Sequence, residues 1–140
     1  FNTTRVGYDF VQTMGLKLLA GRDFSPAYGR DSSNYLINEA AARRMGFANP
    51  VGKPLTFWQR PGTIIGLLKD YHFNSLHVAV RPIIIQLWPM NESGVMLVRT
   101  APGQTAQALR SAETLYREMN PKFPFSYAFV DDDFGRQYRS

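Results

Sequence analysis

Asp70, His72 and His77 are the one closely spaced set in this 140-residue chain whose side chains could ligate a metal, and they include both of its histidines. To act together they need a shared face. A spacing of five sends His72 and His77 to opposite sides of a strand and aligns them poorly on a helix. The segment therefore reads as loop residues that hydrogen-bond backbone, with no metal expected. Asp131, Asp132 and Asp133 form a second acidic group. They read as the first turn of a short terminal helix, where the helix dipole favours negative charge. Nucleophilic catalysis has little to draw on. Cysteine is absent, there is no G-x-S-x-G elbow, and neither histidine stands beside a serine in an activating context. Gly62 and Gly66 bracket Thr63-Ile64-Ile65 without the Gly-Lys-Ser/Thr continuation of a phosphate cradle. No catalytic, cofactor-binding or metal-binding residue is expected, so the chain reads as non-enzymatic with no cofactor.

Composition narrows the field further. Hydrophobic residues make up 44% and charged residues 19%, the balance of an ordinary folded domain. Ten Phe, seven Tyr and two Trp are spread along the chain, and such residues favour strands. The absence of cysteine excludes a disulfide framework and thiolate chemistry. A formal charge of +5 invites a nucleic-acid reading, but the basic residues stand singly or in the one pair Arg43-Arg44. Without a clustered footprint or a recognition motif, nucleic acid is not an expected partner. No apolar run approaches the roughly 18 residues needed to span a bilayer. A first residue that is Phe, with no signal pattern behind it, suggests an excised segment whose flanking membrane helices lie outside it.

The elements follow from periodicity and punctuation. Tyr8 to Met14 has helical spacing and stops at Gly15; Leu16 to Ala20 fits a strand. Ser25 to Asn34 is rich in loop formers. Tyr35 to Ile37 is a short strand, and Asn38 is placed to cap a helix Glu39 to Met45 closed by Gly46. Asn49 to Gly52 is a turn. Strands Pro54 to Trp58 and Thr63 to Leu68 form a hairpin through Gln59 to Gly62. Lys69 to Val80 should be a structured loop laying Tyr71, Phe73 and Leu76 on the core, and Ile83 to Leu87 a buried strand. Pro89 to Gly94 marks a lobe boundary. Beyond it come strand Val95 to Arg99, helix Thr105 to Met119 and strand Phe125 to Val130. In that helix Ala106, Leu109, Ala112, Tyr116 and Met119 share a face, as in an amphipathic helix packed on a small sheet.

Five segments occur in order: Tyr8 to Ser25 (with GRDF), Asn38 to Gly46 (NEAAARRMG), Asn49 to Leu55 (NPVGKPL), Thr63 to His77 (TIIGLLKDYHFNSLH) and Phe129 to Ser140 (FVDDDFGRQYRS). The set resembles the MacB-like periplasmic core domain of FtsX-like ABC-transporter permeases over nearly the whole chain. The KDYHFNSLH wording is similar to Bacteroidetes-type versions.

The resemblance implies an α+β fold with a mostly β lobe (Sabre-like), Phe1 to Met90, inserted into a βαβ lobe (Porter-like). Asn91 to Ser140 would form the second half of that lobe and the start of the return to the membrane. The first half would precede Phe1. It also implies an inner-membrane protein whose domain is periplasmic, transmitting conformational change and contacting exported substrate or a periplasmic partner during export or lipoprotein release. Its partners would be the rest of the permease with its transmembrane helices and a cytoplasmic ATPase that hydrolyses the ATP. An extracytoplasmic ligand sensor outside any transporter is the alternative. Trp58, Trp88, Phe134 and Tyr138 are the candidate interaction surface, because exposed aromatics anchor interfaces; core or lobe-interface packing is the competing use of the two tryptophans.

Overall fold

Tyr35, Leu36 and Ile37 are apolar on both faces, and the computed structural model, which describes residues 1–72, 79–88 and 94–130, sets them in the middle of a mixed sheet. The chain divides into two units, Phe1–Leu97 and the part from Val98 onward. The first unit contains β1 (Asn2–Val6), α1 (Phe10–Thr13), β2 (Leu18–Gly21), β3 (Tyr35–Asn38), α2 (Glu39–Met45), β4 (Pro54–Phe57), β5 (Arg60–Leu68) and β6 (Ile83–Leu87). The sheet order is β1-β6-β3-β5-β2, and β4 pairs with β5 off that path. β1 runs parallel to β6 and β3 parallel to β5, whereas β3–β6, β2–β5 and β4–β5 are antiparallel. The class is mixed α and β with few helices, as the sequence implies.

Alternation along the central strands builds two cores. Leu36, Ile85, Leu87 and Leu68 join Val6, Val11 and Phe24 on one face, with Phe10 of α1 packed against them. Tyr35, Ile37, Ile64 and Ile84 join Ala41 and Ala42 of α2 on the other, with Leu55 and Phe57 of β4 alongside. A sheet covered on both faces needs strands apolar at every position. β3 and β6 come close, with Asn38 at the end of β3 and Gln86 in β6 the polar positions. Each fully buried aliphatic side chain contributes about 1.5–3 kcal/mol, and Leu36, Ile37, Ile64 and Ile84 are all at most 1% exposed.

Helix α2 begins and ends as its sequence dictates. Asn38 accepts the N–H of Ala41 at its start. At its end Gly46 takes φ 78°, and Phe47 donates its N–H to the Ala42 carbonyl at 3.0 Å while packing on the core, a Schellman closure.

Several expectations shift. The first helix is shorter than Tyr8 to Met14, because Asp9 adopts a left-handed φ of 66° and starts it only at Phe10. β2 lies two residues later than Leu16 at its start. The turn after α2 is Pro50 to Lys53, closed by Lys53 N–H on the Pro50 carbonyl, with Gly52 at φ 87°. The β4–β5 connection is tighter than expected: Trp58 and Gln59 form it alone, both with positive φ, as a two-residue hairpin turn requires. Tyr71 does not lie on the core but is 47% exposed; Phe73 and Leu76 lie outside the described residues. β1 has no counterpart in the sequence reading, since the polar run Asn-Thr-Thr-Arg gives it no apolar period.

The second unit holds α3 (Thr105–Met119) with the expected bounds. The flanking segments Val95 to Arg99 and Phe125 to Val130 do not form strands: among the described residues neither has a ladder. A strand is defined by its neighbour, and a lone βαβ has none between its arms. Leu109 and Tyr116 of α3 are half-buried, whereas Ala106, Ala112 and Met119 are exposed. Phe125 meets Tyr116 with ring centroids 5.6 Å apart, and Phe125, Tyr127 and Phe129 follow one another at 6.0 and 5.9 Å. That row has the two-residue period of an extended chain.

Candidate interaction surface

Trp58 is placed by a hairpin that is fastened to the sheet at its base. The Tyr35 hydroxyl donates to the Arg60 carbonyl at 2.6 Å. Gly62 approaches the chain around Ser33 so closely that a Cβ there would stand 1.7 Å from the Ser33 carbonyl oxygen. With its base held, the hairpin carries Trp58 out to 82% exposure at φ 49°. Left-handed backbone in a bulky residue costs on the order of 1–3 kcal/mol and persists where surroundings enforce it. The ring touches Phe57 edge-on at 6.2 Å.

Trp88 leaves the end of β6, its N–H held by the Val6 carbonyl at 2.8 Å. The Arg5 guanidinium lies 4.5 Å and the Arg60 guanidinium 5.2 Å from its ring centroid. Topology explains the meeting: the ends of β1 and β6 and the start of β3 lie at one end of the sheet, where the hairpin overhangs. Cation–π contacts of this kind contribute about 0.5–1 kcal/mol at exposed sites. Trp88 therefore lies in a cationic rim formed with Arg5 and Arg60, while Trp58 stands at the tip of the hairpin that carries Arg60. Phe134 and Tyr138 lie outside the described residues.

The residues singled out as metal ligands are used differently. Asp70 accepts the Ala40 N–H at 2.8 Å and the Arg43 guanidinium at 2.6 Å. Its own N–H goes to Glu39 at 2.9 Å. It is a tertiary cap for α2, and the ion pair raises the Arg43 pKa. His72 is exposed, and His77 and Asp131 to Asp133 lie outside the described residues. Among the described residues no three His, Cys, Asp or Glu side chains converge.

A second polar cluster went unread in the sequence. Asp31, 2% exposed, takes both arms of Arg22 at 2.8 and 2.7 Å, the Ser25 N–H at 2.8 Å and the Asn34 amide at 3.1 Å. The Arg22 hydrogen bonds, opposed by burial, hold its pKa down at about 2. Arg22 is raised in turn, and its guanidinium lies 3.6 Å from the Tyr28 ring centroid. Burial pushes Asp23 up against the Phe24 N–H that it accepts. These groups fold the loop between β2 and β3 onto itself. Only Gly-Arg-Asp within the resemblance hinted at them.

The described residues thus form a mixed six-stranded sheet that carries exposed aromatic side chains at one end. Residues 2–114 match the family of the MacB-like periplasmic core domain. The chain belongs to that family, whose members are extracytoplasmic, non-catalytic domains of ABC-transporter permeases. No curated protein matches it. Among solved structures, it is similar to the periplasmic region of MacB from Actinobacillus actinomycetemcomitans, with 18% identity and a TM-score of 0.66, covering 99% of this chain and 65% of that one. It is also similar to a domain assigned to a permease in Porphyromonas gingivalis, with 23% identity and a TM-score of 0.56, covering 93% and 70%. These likenesses concern the fold. The chain thus spans under two thirds of the MacB periplasmic region.

Proposed function

We propose that this domain transmits conformational change between an ATP-driven permease in the inner membrane and the cargo or partner protein it meets outside, during export or lipoprotein release. The family match over residues 2–114 carries the reading. ATP would be hydrolysed by a cytoplasmic subunit or domain, and the flanking transmembrane helices would belong to the same permease. Phe1 to Met90 would be the inserted, mostly β lobe and Asn91 to Ser140 the second half of a βαβ lobe.

The physical features are consistent with such a division of labour. The first unit is stiff, with a core on both faces of its sheet and side-chain caps joining its elements. The second has an exposed helix, and the extended segments on either side of that helix want strand neighbours, as half of a lobe completed elsewhere in the parent would. The test is a parent permease carrying spin labels at Arg44→Cys on α2 and Gln107→Cys on α3, both exposed positions. Transmission through the domain predicts that their distance distribution differs between the nucleotide-free state and the ATP-bound state of a hydrolysis-deficient transporter. One unchanged distribution in both states would overturn the proposal.

A further inference from the structure

Arg5 on β1 and Arg60 on β5 are far apart in the sequence and meet over a single indole. Among the described residues neither has a carboxylate partner. Both lie within 5.2 Å of the Trp88 centroid, so their charges are separated by no more than roughly 10 Å, about a Debye length at 0.1 M salt. Two exposed cations this close repel each other, and an anion placed between them relieves that repulsion. Each guanidinium is also held against a ring, so little rotamer freedom remains to be lost when it receives a carboxylate in its fork.

Arg5 further lies on β1, the terminal strand of the sheet, with Thr3 and Arg5 exposed. Among the described residues nothing pairs with the outer edge of β1. Such an edge accepts an extended chain through main-chain hydrogen bonds. Along an extended chain, alternate side chains share a face and stand about 6.5–7 Å apart, within the upper limit that the two ring contacts set on the separation of the guanidiniums.

We propose that the Arg5–Trp88–Arg60 rim, with the outer edge of β1, binds an extended segment of a partner protein that carries acidic side chains at alternate positions. Trp58 stands apart from that rim's ring contacts, at the tip of the hairpin that carries Arg60. A bilayer is the poorer fit, because interfacial binding draws on a broad apolar face and this rim projects one ring. The net charge of +5 adds long-range steering toward an acidic partner.

The inference rests on the reading of the chain as an extracytoplasmic contact domain, but its test needs only the 140-residue chain. A fluorescein-labelled peptide of about ten residues, alternating Glu and Thr, is titrated and followed by anisotropy; its Gln-Thr counterpart and phosphatidylglycerol–phosphatidylcholine vesicles are run beside it. The Glu peptide should bind, with affinity falling as salt rises. Arg5→Ala with Arg60→Ala should weaken it about 10-fold or more, and the two Lys replacements, which keep charge without the planar fork, by less. Both arginines are exposed, so the urea midpoint should hold; if the alanine pair does not fold, the lysine pair decides. Equal binding of Glu and Gln peptides, undiminished binding by the variants, or binding to vesicles alone would overturn the inference. An unchanged spin-label distance in the parent would instead count against transmission alone.

Discussion

The side-chain oxygen of Asn38 accepts the backbone N–H of Ile83 at 2.9 Å, joining the start of α2 to the start of β6 across 45 positions of sequence. The same oxygen accepts the Ala41 N–H at 3.0 Å, and the Asn38 amide donates to the Arg81 carbonyl at 2.9 Å. One buried side chain thus closes a helix and fixes the entry of a central strand.

Asn38→Ala removes the cap and strands a buried N–H, so it should destabilise the chain by about 2–4 kcal/mol. Asn38→Asp keeps the acceptor and loses the donor, and should recover at least half of that. Urea denaturation checks both; an alanine variant with the parental midpoint would contradict the role given to this residue.

Acid should loosen the loop between β2 and β3. Asp31 has its pKa lowered from 3.8 to about 2. A depressed carboxylate stabilises the fold fully above its unfolded value, and the contribution fades as pH falls through about 4 toward the folded value near 2. The shift corresponds to about 2 kcal/mol. Asp31→Asn should therefore be less stable at neutral pH and show a flatter stability profile from about pH 4 down to 2. Parallel profiles for the two proteins would place the acid sensitivity elsewhere.

Two glycines separate crowding from backbone conformation. A Cβ at Gly62 collides with the Ser33 carbonyl, whereas at Gly46 it meets nothing within 4 Å and only the φ of 78° resists it. Gly62→Ala should cost about 3 kcal/mol or more and Gly46→Ala about 1 kcal/mol. Similar thermal shifts for both would show that the hairpin base gives way more readily than its contacts imply.

Much of the first unit was legible because its signals are local. Asn38, Gly46 and the apolar runs Tyr35 to Ile37 and Ile83 to Ile85 name their own elements. Asp31 was not legible, since a buried carboxylate and its arginine nine residues away look like loop composition. Core packing competed with exposure for Trp58 in the sequence, and its turn position was missed because Trp-Gln is poor turn chemistry beside Arg-Pro-Gly. Arg5 and Arg60 as partners of Trp88 depend on strand order, which one sequence does not specify. The arms of α3 have strand-like sequences, but a ladder requires a partner that pattern cannot supply.

Those arms carry a prediction of their own. Val95, Met96 and Val98 are 67–85% exposed, and Phe123 and Tyr127 are 66% and 59% exposed. If a half-lobe is completed by other residues of the parent, the isolated chain should self-associate at high concentration through these arms. Val98→Lys with Tyr127→Lys should shift it toward monomer in light scattering. A parental chain that stays monomeric at about millimolar concentration, where an association worth only about 4 kcal/mol is already half-populated, would speak against an unfinished lobe.

The most direct test of the whole account is where the domain stands relative to the membrane. The chain has no cysteine, so Gln107→Cys on the exposed side of α3 introduces a single reporter into this region of the parent. In spheroplasts with an intact inner membrane, a membrane-impermeant maleimide should label this position without lysis. Labelling that appears only after the membrane is broken would put the domain on the cytoplasmic side and contradict its role as the outer part of a permease.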